Sequence, residues 1–139
     1  MNCREAAKEY IKNGWNVIPV FDKIPAENWK DYQSRIVNAA TIDLWWDKYP
    51  NANVGIVTGK ISDITVIDVD GEKGNASLKT IKLPITKMVK TPNGWHLYFK
   101  YNSSYPQGVN ILPGIDIRSS GGFVVAPPSQ INDVFYEWI

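Results

Sequence analysis

Apolar positions along this chain change their spacing once. Up to residue 50 they recur at helical intervals: Ala7, Tyr10 and Ile11 fall on one face of Arg4 to Asn13, and Ile42, Trp45, Trp46 and Tyr49 fall at i, i+3, i+4 and i+7. Thr41 stands where an N-cap is expected and Pro50 where the second helix must stop. Asn16 to Val20 reads as a strand, and Asp22 to Asn38, with its turn-forming residues, as loop. From Asn53 onward, short runs of β-branched and aromatic residues predict strands over Val54–Val57, Ile64–Asp70, Lys87–Thr91, Trp95–Tyr101, Ile115–Arg118 and Phe123–Ala126, with a short helix over Ala76–Lys82. Pro92-Asn93-Gly94 and Ser119-Ser120-Gly121-Gly122 read as hairpin turns, the first because Asn-Gly takes positive φ readily. Asn102 to Pro113 reads as flexible loop and Phe135 to Ile139 as a terminal strand.

Period-two alternation turns those strands into chemistry, because side chains two apart share a face. Asp68 and Asp70 point the same way, His96 shares its face with Tyr98 and Lys100, and Asp116 pairs with Arg118. Two carboxylates crowded on one face repel unless a positive charge lies between them, and oxygen ligands of this kind suit Mg²⁺ or Mn²⁺. Taken one at a time, the motifs stay ambiguous. Asp68-Val69-Asp70-Gly71 also opens phosphatases of the haloacid-dehalogenase type, yet no later Asp-Asp pair is present; a calcium loop starting at Asp68 would need Glu where Lys79 stands. His96, the one histidine, is either a packed strand residue or a ligand contact. Asp116 between two isoleucines needs a cation nearby, and Arg118 is either that cation alone or a phosphate contact. Ser119 to Gly122 is either a plain turn or a loop whose amides meet phosphate oxygens. The tryptophans read as core, Trp45 and Trp46 above all, with base stacking an alternative for Trp29 or Trp95.

Composition narrows the setting. The 139 residues, 44% of them hydrophobic, amount to one domain, read as spanning 1–139. A net charge of +1 rules out holding nucleic acid by bulk electrostatics, so any such contact needs a local groove. The single cysteine, Cys3, excludes an internal disulfide and a cysteine-rich zinc site, which fits a reducing cytoplasm. No apolar run reaches the roughly 18 residues of a membrane span, and no leader pattern precedes the first helix.

In order along the chain, Asp68-Val69-Asp70, Gly94-Trp95-His96 and Ile115-Asp116 resemble the three motifs of the archaeo-eukaryotic primase superfamily. Their surroundings resemble one branch closely: Gly-Trp-x-Val-Ile-Pro at Gly14 to Pro19, Lys-x-Pro at Lys23 to Pro25, the Trp45-Trp46 helix, Val-Gly-Ile-Val-Thr-Gly at Val54 to Gly59, Thr-Pro-Asn-Gly-Trp-His at Thr91 to His96, and Asp116 through Pro127-Pro128-Ser129. The chain is similar to the bifunctional DNA primase/polymerase N-terminal domain of plasmid, phage and prophage replication proteins.

The resemblance implies an α+β fold, with a small N-terminal α/β part packed on a mainly antiparallel, RNA-recognition-like catalytic sheet. It implies nucleotidyl transfer from nucleoside triphosphates onto a primer on a single-stranded DNA template. Asp68, Asp70 and Asp116 would be catalytic and hold two Mg²⁺ or Mn²⁺ ions. His96 and Arg118 would bind the nucleotide, helped by Ser120, Gly121, Gly122 and Lys23. Family members continue into helical and helicase regions, so a C-terminal helicase or other replication domain is an expected partner, the chain an expected N-terminal piece, and the cytoplasm the expected location. The alternative from another class is a non-catalytic nucleotide- or template-binding module of a replication initiator.

Overall fold

The computed structural model describes residues 1–139. Helix α1 (Cys3–Lys12) begins at Asn2, whose side chain accepts from the Glu5 N–H at 2.8 Å, and carries Glu5 in its first turn and Lys12 in its last, the charge order that a helix dipole favours. It buries Ala6, Ala7 and Tyr10. Helix α2 (Ala39–Lys48) packs beside it through Ile42, Trp45 and Trp46. Its cap is Asn38, which accepts from the Thr41 N–H at 2.8 Å. Thr41 is therefore inside the first turn, because Ala39 and Ala40 extend the helix back to the stronger cap.

Strands β1 (Val17–Phe21), β2 (Ile24–Pro25), β3 (Asn53–Val57) and β9 (Phe123–Ala126) form one antiparallel sheet in the order β2-β1-β3-β9. The second sheet runs β12-β5-β6-β4-β8-β7, from β4 (Ile64–Asp70), β5 (Lys87–Thr91), β6 (Gly94–Lys100), β7 (Gly108–Leu112), β8 (Ile115–Arg118) and β12 (Glu137–Trp138). Helix α3 (Gly71–Leu78) connects β4 to β5, and β6 inserts between them. With β8 on the far side of β4, this is the split β-α-β connectivity of ferredoxin-like and RNA-recognition sheets. A short hairpin of β10 (Gln130–Ile131) and β11 (Val134–Phe135) precedes β12.

Alternation along β4 divides the second sheet's burial between two neighbours. Val69 and its cross-strand neighbour Ile115 face α3, whereas Val66, Val89 and Tyr98 turn the other way and join the core shared with the first sheet and the two N-terminal helices. Asp68 and Asp70 follow Val66 on that second face, so the carboxylates stand where the shared core gives out.

The expected α+β architecture is present, with four departures in detail. The small sheet is not purely N-terminal, since β9 completes it beside β3. Ser119 to Gly122 is consequently not a hairpin: β8 and β9 lie in different sheets, and the four residues carry the chain across. Asn102 to Pro113 is not all loop, because β7 pairs with β8 through a bulge. Helix α3 starts directly after Asp70 rather than at Ala76. The β5–β6 hairpin is present, but neither Asn93 nor Gly94 has positive φ; Gly94 is glycine because a Cβ there would collide with the Val69 carbonyl oxygen on the neighbouring strand.

One buried side chain orders the segment that sequence pattern left as loop. Asn16, 2% exposed, accepts from the Val37 N–H at 2.8 Å and donates to the carbonyls of Tyr32 at 2.7 Å and Arg35 at 2.9 Å. That fastens the stretch holding Trp29 and a 3₁₀ turn at Lys30–Gln33 against β1. Replacing Asn16 with Ala strands one buried backbone group, the Val37 N–H, which costs about 1–3 kcal/mol without a partner, and two part-buried carbonyls that water can partly reach, so the variant should lose about 2–4 kcal/mol in urea unfolding. An unfolding midpoint equal to wild type would show that the segment is held by other contacts.

Candidate active site

The register of three strands builds the site. Asp68 on β4 pairs directly with His96 on β6 and with Asp116 on β8, so the three side chains stand in one row across the sheet. Asp70, two residues further along, lies opposite Gly94, whose lack of a side chain lets the two strands' backbones approach closely there. Asp70 also occupies the N-cap position of α3 but makes no capping hydrogen bond with its side chain. Arg118 lies opposite Val66, two residues back on the same face.

Asp68, Asp70, His96 and Arg118, but not Asp116, floor a cleft of about 630 Å³ between the two sheets. Asp68, Asp70, His96 and Arg118 all reach it, as do Lys23 from the turn after β1 and Gly121 and Gly122 from the crossover. Ser120 does not; its Oγ accepts the Lys60 N–H at 3.1 Å and fixes the crossover to the turn after β3. Trp29 contributes to the opposite wall, edge-on to Phe123 with ring centroids 5.2 Å apart.

Charges in the row are tightly matched. His96 Nε2 is 3.4 Å from Asp68 Oδ1, and Arg118 Nη2 is 3.7 Å from Asp68 Oδ2 and 3.0 Å from Asp116 Oδ2. Burial pushes the Asp68 carboxyl up, but His96, Arg118 and Lys23 outweigh it and hold the group below the usual carboxylate range. Asp70 goes the other way: burial raises it, and the negative charge of Asp68 raises it further against weaker pulls from Lys23 and His96. Asp116 has both oxygens engaged, Oδ2 by Arg118 and Oδ1 by the Asn110 N–H at 2.8 Å.

A divalent ion fits this donor set in part. The donors are hard oxygens, and burial first, then the neighbouring Asp68 carboxylate, raises Asp70. No three acidic, imidazole or thiol groups close around a single point. Arg118 occupies the space between Asp68 and Asp116 that a shared cation would take.

Sequence reasoning missed Tyr136 and Gln107, both of which line the cleft. Tyr136 packs on His96 with ring centroids 5.9 Å apart and reaches the site because β12 folds back beside β5. Gln107 had no sequence signal, and Tyr136, in the stretch read as a terminal strand, had none that tied it to the site, because long-range pairing brings both in.

The sequence profile of the bifunctional DNA primase/polymerase N-terminal family matches residues 7–139, and the chain belongs to that family. No curated protein matches the chain. No helix is long and apolar enough to cross a membrane.

The Asp70 shift gives a test with a definite sign. Its folded pKa lies above the unfolded value, so ionised Asp70 destabilises the fold at neutral pH and the penalty disappears below the unfolded value of about 3.9. In EDTA at pH 7, Asp70→Asn should be more stable than wild type by about 0.2–1 kcal/mol, the range for neighbouring charges on a sheet, and the gap should close as the pH falls to about 4. Adding Mn²⁺ at pH 7 should reverse the order. A wild type at least as stable as the variant in EDTA would contradict the crowding of charge.

Proposed function

We propose that this domain transfers nucleotides from deoxyribonucleoside or ribonucleoside triphosphates onto a primer paired with single-stranded DNA. The observation that carries the reading is the row of Asp116, Asp68 and His96 with Asp70 beside it, in which Asp68, Asp70 and His96 line a cleft with Arg118 and Lys23 while Asp116 stands behind Arg118, in a chain of the primase/polymerase family.

Asp68, Asp70 and Asp116 would hold two Mg²⁺ or Mn²⁺ ions. When bound, such ions lower the pKa of the attacking hydroxyl and neutralise charge on the transferred phosphoryl group and leaving pyrophosphate. The chain's own part is positioning and charge. His96 is held by Asp68 on one side and by Tyr136 on its ring, so its imidazole meets a phosphate oxygen without first having to be ordered. Arg118 turns from Asp116 toward the triphosphate, where its planar fork suits paired phosphate oxygens, and its departure frees Asp116 as a ligand. Lys23 adds long-range positive charge, and the exposed Gly121 lies along the same wall, whereas the Gly122 N–H is spent on the Ser119 carbonyl at 3.0 Å. Trp29 offers an aromatic edge on the facing wall for a base.

The engaged state of Asp116 favours a second reading, a module that binds nucleotide or template without chemistry. Incorporation of labelled nucleotide on primed single-stranded DNA separates the two. Wild type should extend primers with Mg²⁺ or Mn²⁺, and Asp68→Ala, Asp70→Ala and Asp116→Ala should each lose at least about 100-fold while keeping a cooperative thermal melt. Nucleotide binding without extension by wild type would replace the enzyme with the binding module.

His96 and Arg118 make a separate prediction about the triphosphate. His96→Ala should lose about 2–4 kcal/mol of transition-state stabilisation, as expected for a preorganised donor to a reacting oxyanion. Arg118→Lys keeps the charge and loses the fork, so a phosphate role predicts a clear rise in KM. Unchanged KM and kcat in both variants would remove the two residues from substrate contact.

A further inference from the structure

We propose that Gln107 is a substrate-contacting residue whose carboxamide Nε2 donates to a phosphate oxygen of the bound nucleoside triphosphate. This rests on the primase/polymerase reading and adds to it a contact from a segment with no sequence signal.

Gln107 lies between β6 and β7 and lines the cleft together with Arg118, Asp68 and Asp70. Its side chain is fixed on two sides. Oε1 accepts the Ser119 N–H at 2.7 Å, and the carboxamide lies against Gly122 so closely that a Cβ there would collide with it. This contact accounts for the second glycine of Ser119-Ser120-Gly121-Gly122, which needs no special φ. Because an N–H can be met only by the amide oxygen, the orientation of the group is set: oxygen toward Ser119, nitrogen away. Nε2 makes no hydrogen bond to the protein, although ordering a glutamine side chain costs conformational entropy. A rigid neutral donor with both hydrogens unspent is suited to an acceptor brought by a ligand.

The wall on which it stands selects the chemistry of that ligand. Arg118 neighbours Gln107 at the cleft, and the exposed Gly121 leaves backbone at the surface without a side chain over it. Positive charge, a neutral donor and uncovered backbone together favour an anion with several oxygens. A charged donor would strengthen attraction for any anion, whereas Gln107 adds direction and so favours one placement of the triphosphate chain.

Binding of tripolyphosphate and of a deoxyribonucleoside triphosphate, each with Mn²⁺, to wild type, Gln107→Glu and Gln107→Met tests the assignment by calorimetry beside thermal melts. Glu keeps the acceptor for Ser119 and replaces the donor with an oxygen; Met keeps the length, stays neutral and has neither. The proposal expects both variants to lose about tenfold or more in affinity for both ligands, the loss of one hydrogen bond to a charged group, while Gln107→Glu melts with wild type. Wild-type affinity in Gln107→Glu with weak binding by Gln107→Met would make Gln107 only a brace for the crossover and overturn the contact. Weak binding by Gln107→Glu with wild-type affinity in Gln107→Met would reduce the effect to added negative charge and overturn it equally. Loss for the nucleotide alone, with tripolyphosphate unaffected, would move the contact off the phosphates and reject the proposal as stated. Failure of wild type to bind either ligand would instead sink the primase/polymerase reading beneath it.

Discussion

Asp68 is a charge largely withdrawn from water, its side chain only 13% exposed, and the structure around it is arranged to make that tolerable. An ionised carboxylate in such a place costs several kcal/mol unless it is paired. Here a register that puts His96 on one flank and Arg118 near the other supplies the pairing. The same register fixes which face of β4 meets the first sheet, because a slip of one residue would send Asp68 toward α3 and Val69 into the cleft. Charge compensation and core formation therefore demand the same strand alignment. That agreement is what makes the alignment specific.

The cleft exists because the chain changes sheets next to this row. After Arg118 it could have turned back into the six-stranded sheet, but β7 already covers that edge of β8, and Ser119 to Gly122 instead leads into β9 beside β3. The crossover is held by the Thr58 hydroxyl donating to the Ser119 carbonyl at 2.7 Å, by Ser120 against Lys60, and by Gln107. Each bond joins the crossover to a segment distant in sequence. Together they keep the second wall of the cleft in place, while Asn16 does the same for the segment bearing Trp29.

Arg118 ties the two carboxylates of the row together while it is the cation between them. Any ligand that attracts the guanidinium away leaves Asp68 and Asp116 with uncompensated charge, and any cation that replaces it releases the guanidinium to an anion. On the proposed reading, divalent ion and triphosphate favour each other's binding through this one side chain, and linkage makes the effect of each on the other equal.

Alternation in the sequence was sufficient for most of the elements and for the faces of the key residues, whereas turn chemistry found the β5–β6 hairpin for the wrong reason and misread Ser119 to Gly122. Ile64–Asp70, Lys87–Thr91, Ile115–Arg118 and Phe123–Ala126 occupy the bounds that their apolar runs predict, and Asp68 and Asp70 share a face, as do Asp116 and Arg118. Motif order was likewise enough to point to the family that residues 7–139 match. Local pattern could not say which strands pair. It therefore could not place β9 in the first sheet, find β7 inside a loop-like stretch, or explain Gly94, whose reason is a carbonyl on another strand. Nor could it show Arg118 seated between two carboxylates, or Gln107 and Tyr136 at the cleft. A residue's face is decided by its neighbours along the chain, through an alternation that repeats every two residues, but its partners are decided by the packing of segments far apart in sequence, and those partners exist only once the two sheets have closed on each other.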